Sequence, residues 1–235
     1  MSIVGPGEHL HSIATRRSML PPPGTTDTPE ARRSFDWLFR RYAPAMVRYV
    51  RSILARAGGP PRESDAEDVV QGYLVECLEK GWLSTDAGSI RCFRAWLQTQ
   101  LRRYTLTRLR DARAAKRAPG AMAPADPNRH GSSDDDPAER DLDRGFIDVA
   151  TSLALDDLRE GNSLYHEIIA DLLRTDGAGS ADLAARLDRS DAQLVHLRHR
   201  ARRRFAILLF DRLRETVRDD EDHVALCRRL EPYLP

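Results

Sequence analysis

The sequence predicts an all-α chain of two small helical domains joined by a flexible acidic linker. Apolar residues recur at three- and four-residue steps through four stretches, and no strand-like alternation of comparable strength appears. Proline, glycine and aspartate concentrate between Ala118 and Asp141. Only 6% of the 235 residues are aromatic while 31% are charged, which favours compact helical units over one large core. The expected organisation is a tail over 1–30, a helical domain over 31–117, the linker over 118–141, a helix-turn-helix domain over 142–210 and a helical extension over 211–235.

Residues 1–30 are rich in Gly, Pro, Ser and Thr without a sustained period and bury too little to offset the entropy of ordering. From Phe35, the residues Leu38, Phe39, Tyr42, Met46, Val50 and Leu54 form one helical stripe, which Pro44 is expected to kink or break near Ala43. Gly58 to Pro61 end it. Ser64 and Glu67 read as a capping box opening a second helix, whose inner stripe is Val69, Val70, Tyr73, Leu74, Cys77 and Leu78 and whose terminator is Gly81. Trp82 to Arg91 reads as a loop. A third helix follows, with Phe93, Leu97, Leu101 and Tyr104 inside.

The net charge of +1 conceals strong segregation. Phe93 to Arg117 carries eight basic residues and one acid, whereas Asp126 to Asp143 carries seven acids and two arginines. Local fields of this kind govern association with a polyanion. Arg94, Arg102, Arg103, Arg108, Arg110, Arg113, Lys116 and Arg117, interleaved with Phe93, Trp96 and Tyr104, form a face that can hold phosphates and stack unpaired bases. For Phe93 and Tyr104 the periodicity favours the core instead. The acidic stretch admits two readings, a solvated tether and a nucleic-acid mimic.

The second helical set is expected to start near Asp143. Leu153, Leu155 and Leu158 share one helix, and Leu164, Ile168, Ile169, Leu172 and Leu173 another, closed by Asp176, Gly177 and Gly179. A short helix over Ser180 to Leu187, a turn at Asp188 to Ser190 and a longer helix from Asp191 to about Leu209 make a helix-turn-helix pattern. Its second helix brings Gln193, His196, His199 and Arg200 toward base edges, with Arg202, Arg203 and Arg204 on phosphates.

Several chemistries lack their residues. There is no phosphate-cradling glycine loop, nucleophile elbow or paired metal-ligand motif, so neither an enzyme nor a cofactor is expected. His196 and His199 stand three apart without a third ligand, which leaves no metal site expected. Three scattered cysteines fit free thiols in a reducing compartment. No apolar run reaches the roughly 18 residues that span a membrane, so a cytoplasmic protein with no membrane partner is expected.

FDWLFRRYAPAMVRYV, DAEDVVQGYLVECLEKG and FRAWLQTQLRRYTLTRLRDARAAKR resemble region 2 of the sigma-70 superfamily, in particular its short extracytoplasmic-function group, which keeps regions 2 and 4 only. Asp68 and Gln71 occupy the matching positions of the D-x-x-Q signature. ADLAARLDRSDAQLVHLRHRARRRF is similar to the region 4 helix-turn-helix. The tail RETVRDDEDHVALCRRLEPYL resembles an extension seen in a group common in planctomycetes, which would put Thr216 and Val217 in a final docking helix. Three departures stand out: Gly72 where the family carries an acid, Asp188 and Arg189 where it has a glycine and an apolar residue, and Leu197 and Arg198 in inverted order.

The resemblance implies a factor that binds core RNA polymerase through Asp68, Gln71 and Glu76 and directs it to promoter DNA. The basic third helix would open the minus-ten element, and the loop 82–91 would capture a flipped-out base. The second domain would read the minus-thirty-five element. An anti-sigma protein as a further partner stays open. Two alternatives stand beside this reading: a helix-turn-helix regulator that binds duplex DNA without polymerase, and a sigma-like interaction module.

Overall fold

The computed structural model describes residues 19–20, 28–58, 63–79, 90–115, 136–177, 179 and 182–234. Among these, all regular structure is helical and no strand occurs. The chain forms two compact units, the first ending at Val149 and the second beginning at Ala150.

The first unit is built on α1 (Pro29–Gly58), α2 (Glu63–Glu79), α3 (Phe93–Ala115) and the first half of α4 (Pro137–Gly161). Pro29 opens α1 where a missing N–H costs nothing. The expected break near Ala43 does not occur. Pro44 sits within one continuous 30-residue helix on its exposed side, so water can satisfy the carbonyl it leaves without a partner. Helix α2 starts at Glu63, which puts Ser64 inside the first turn instead of ahead of it as the expected cap.

The expected apolar stripes converge on one core. Phe35, Leu38, Tyr42, Met46, Tyr49 and Val50 of α1 meet Val70, Tyr73 and Cys77 of α2 and Phe93, Leu97 and Leu101 of α3, all buried. Aromatic rings tie the layers: Phe39 meets Phe93 edge-on at 5.7 Å between centroids, and Tyr73 meets Tyr104 at 5.5 Å. Burial pushes the Cys77 thiol up to about 11, so it stays protonated and unreactive near neutral pH. Leu20 belongs to this core, within what the sequence reads as a loose tail.

The start of α4 departs from the expected domain limits. Ala138, Leu142 and Phe146 are buried in the first unit's core, and Phe146 stacks on Tyr42 at 4.3 Å. Residues 136–141, read as linker, and 142–149, read as the start of the second domain, are therefore part of the first unit. Asp143 lies inside it, paired with Arg94.

The second unit contains the rest of α4 with α5 (Ser163–Arg174), α6 (Leu183–Arg186), α7 (Asp191–Arg214) and α8 (Asp220–Leu230), followed by a 3-10 turn at Glu231–Tyr233. Asn162 caps α5 by accepting from the Tyr165 N–H at 3.0 Å. Its core comprises Leu158, Ile168, Ile169, Leu183, Leu194, Phe205, Leu208 and Leu213 among others. Arg212 is buried and compensated twice, by Asp157 at 2.5 Å and Glu215 at 3.1 Å. Thr216 and Val217 lie buried in the turn between α7 and α8, outside the docking helix that the resemblance implies. Helix α8 follows them, capped by Asp219.

Gly145 marks a close approach of α4 to α1. A Cβ there would stand 2.7 Å from the Ala45 Cβ and 2.8 Å from its Cα, so the backbone must shift to admit it. Alanine gains roughly 1 kcal/mol of helix propensity over glycine, against roughly 1–3 kcal/mol for overpacking. We expect Gly145→Ala to be net destabilising by about 1 kcal/mol in urea unfolding. Net stabilisation would show that the crossing is slack.

Candidate nucleic-acid interface

Helix α3 does not present all of its arginines. Arg94 is turned inward, 7% exposed, with its Nε donating to the Asp143 Oδ1 at 2.5 Å and its Nη1 to the Gln98 Oε1 at 2.8 Å. Its expected place on the DNA-facing set is therefore corrected: a buried guanidinium committed to a buried carboxylate is not offered to a phosphate. Trp96 is half-buried against Phe35, Phe39 and Phe93, with centroids 6.0–6.3 Å away. Phe93 and Tyr104 are buried, in line with their periodicity.

Arg103, Arg108 and Arg110 are exposed. Arg108 is oriented by its neighbour, its Nε donating to the Tyr104 hydroxyl at 3.0 Å. Gly72 explains how that pair fits over α2: a Cβ there would stand 2.7 Å from the Tyr104 oxygen and 3.2 Å from the Arg108 Nη2. The departure at Gly72 thus has a local steric cause. The Arg113 side chain, Lys116, Arg117 and residues 82–89 lie outside the described residues.

Arg102 is half-buried and engaged. Asp136 receives its Nη1 at 3.3 Å, the Arg56 Nη2 at 2.5 Å and the Ala138 N–H at 2.9 Å. Burial pushes the Asp136 carboxyl up, but the bonds from Arg56 and Ala138, with the charges of Arg56 and Arg102, outweigh it and hold the group below its usual value. This carboxylate also caps α4.

On α2, Asp68 and Gln71 are exposed and one turn apart. Val75, 52% exposed, continues the same stripe. Glu76, expected with them, lies toward α3, where its charge acts on Arg108. Asp68 and Arg108 both border an open groove of ≈ 590 Å³ whose floor includes Leu54, Val69 and Leu109. The acidic and basic candidate faces therefore meet within the first unit.

In the second unit the short helix α6, a turn and the long helix α7 follow one another. Helix α6 ends in a Schellman motif: the Asp188 N–H donates to the Ala185 carbonyl at 3.1 Å and the Arg189 N–H to the Ala184 carbonyl at 3.0 Å. Asp188 holds the left-handed position, φ 51°, that glycine usually fills. Helix α7 opens with a capping box that the sequence reading missed, although Ser190-x-x-Gln193 is its signature. The Ser190 Oγ accepts from the Gln193 N–H at 3.3 Å, and the Gln193 Oε1 accepts from the Ser190 N–H at 3.0 Å.

Leu194, Ala201 and Phe205 point inward, while Gln193, His196, His199, Arg200, Arg202, Arg203 and Arg204 are exposed. Arg202 also donates to the Gly177 carbonyl at 3.3 Å. Arg198, half-buried, lies against Gly179: a Cβ there would fall 2.2 Å from the Arg198 Nη2 and displace the end of the arginine, and the φ of 74° itself favours glycine. The inverted Leu197–Arg198 order thus puts an arginine on the end of the preceding loop.

Ser190→Ala removes one side of the capping box and should cost about 1 kcal/mol of thermal or urea stability; an unchanged transition would show that α7 starts without it. Asp136→Ala should cost about 2 kcal/mol near neutral pH, through the lost cap and the stranded guanidinia. Because the folded Asp136 carboxyl is depressed, its contribution is full above the ordinary carboxylate value and lost as pH falls through the folded one. The gap between native and Asp136→Ala proteins in urea titrations should therefore close below about pH 4; a gap independent of pH would sink this account. Among the described residues no helix is long and apolar enough to cross a membrane, and no cluster of three or more metal-ligating side chains occurs. No family model, curated protein or solved structure matches the chain.

Proposed function

We propose that this chain is a sigma-70-type initiation factor of the extracytoplasmic-function group, which binds core RNA polymerase and carries it to promoter DNA. The observation that carries the reading is the adjacency, within one unit, of the Asp68–Gln71–Val75 stripe on α2 and the exposed arginines of α3. Polar and apolar groups on the first suit a protein surface. Exposed guanidinia on the second suit a phosphate backbone.

In this reading the first unit serves as the region 2 domain and the second as the region 4 domain. Asp68 and Gln71 dock on polymerase, with Val75 as an apolar addition. Arg103, Arg108 and Arg110 follow the backbone of the opening duplex. Arg94 and Trp96 hold the helix in place. The capped N-terminal turns of α7 enter the major groove upstream, with the later arginines on phosphates.

The test is to mix the chain with sigma-free core polymerase and a promoter library and to sequence transcript starts. Starts that require the chain and share one motif support the proposal. Absence of both a stable complex and chain-dependent starts overturns it. Tight duplex binding without polymerase would favour the regulator reading, which the exposed basic face of α7 also suits.

A double substitution, Arg103→Ala with Arg110→Ala, should lower promoter opening at least tenfold, leave core binding unchanged and reduce the salt dependence of DNA binding by about two ion equivalents. Equal loss of opening and core binding would make α3 a structural element only.

A further inference from the structure

We infer that Val195 is a specificity-determining residue that takes the 5-methyl group of a thymine in the major groove. The inference rests on the reading of the second unit as a DNA-binding helix-turn-helix and adds to it the class of base edge that this chain selects.

Val195 lies in the second turn of α7 and is 63% exposed, more than Val75 at 52% or Val224 at 49%. It contributes nothing to the core, whose α7 members are Leu194, Ala201, Phe205 and the residues that follow them. A β-branched residue is also a poorer helix former than alanine. Neither burial nor propensity explains a valine there. Its neighbours on the outer face are Ala192 one turn before, His196 in sequence and His199 one turn on, so among the described residues it is the one large apolar side chain exposed on α7, on a surface that is otherwise small or hydrogen-bonding. A protein partner would call for a contiguous apolar patch. A single point suits the one apolar group that base pairs present in the major groove, the thymine methyl.

The capping box sharpens the case. Reading an adenine through glutamine needs both the amide oxygen and the amide nitrogen. The Gln193 Oε1 already accepts the Ser190 N–H at 3.0 Å, which holds the amide against the helix end and leaves it one further lone pair beside its N–H donors. The orientation of this amide is thus set by the cap of α7. The other distinctive group of an A·T pair is the methyl, and Val195 is the large exposed side chain of matching chemistry. The occupant is duplex DNA because the same helix goes on to expose Arg200, Arg202, Arg203 and Arg204.

The test selects duplexes from a random library with the full chain bound to core polymerase. Each thymine of the enriched motif is then replaced by deoxyuridine, which removes only the methyl. At one position the native protein should lose about three- to fivefold in affinity, the worth of one buried methyl-sized group. Val195→Ala should lose the same factor on the thymine duplex and show no difference between thymine and deoxyuridine there. Val195→Thr, which keeps one methyl, should fall between the two. An enriched motif with no methyl-sensitive position, or a methyl effect that persists undiminished in Val195→Ala, overturns the inference and leaves the functional reading standing. Failure to enrich any motif overturns both. The site is exposed, so all three proteins should melt alike, and that measurement separates a lost contact from a lost fold.

Discussion

The buried pair between Arg94 and Asp143 is the interaction on which the geometry of the first unit depends. Two ions removed from water hold one another at 2.5 Å, and Gln98 takes a second guanidinium nitrogen. Such a pair is tolerated only when both members are present, since either alone would be an uncompensated buried charge. It therefore locks α3 against α4 in a single rotational setting. At about 100° per residue, Arg103 and Arg110 then fall roughly half a turn away from Arg94 and face solvent. The outward basic face is a consequence of one inward arginine.

Helical periodicity made most of the elements legible in the sequence, because each stripe needs only local spacing to declare itself. Phe35 to Val50 and Phe93 to Leu101 became core along the faces their spacing implied. Ends were less legible. A proline mid-helix signals a break only if its environment cannot satisfy the freed carbonyl, and the exposed setting of Pro44 can. Serine followed three residues later by Glu or Gln occurs twice, at Ser64 and Ser190; the second stands ahead of its helix and forms the reciprocal box, while Ser64 falls within α2. Where a helix begins is what such a short motif does not encode.

The candidate interface was legible as charge and illegible as geometry. Counting arginines on α3 could not distinguish Arg94, whose partner is 49 residues away, from Arg103. Nor could it show that Arg102 reaches across 34 residues to Asp136. The acidic tract misled for the same reason: Asp136 and Asp143 look solvated until the guanidinia that neutralise them are placed beside them in space. Val195 escaped notice because a lone valine in a basic helix reads as a gap in the pattern, and only its exposure gives it meaning.

The anchoring of Asp136 also changes what residues 116–135 are. Both ends, Ala115 at the close of α3 and Asp136 at the head of α4, belong to the first unit. The connection therefore begins and ends on one body, so its span is fixed within a unit and does not set the reach between two. The carboxylate at its far end is held by three donors of that same unit, which makes it the fixed point of the connection.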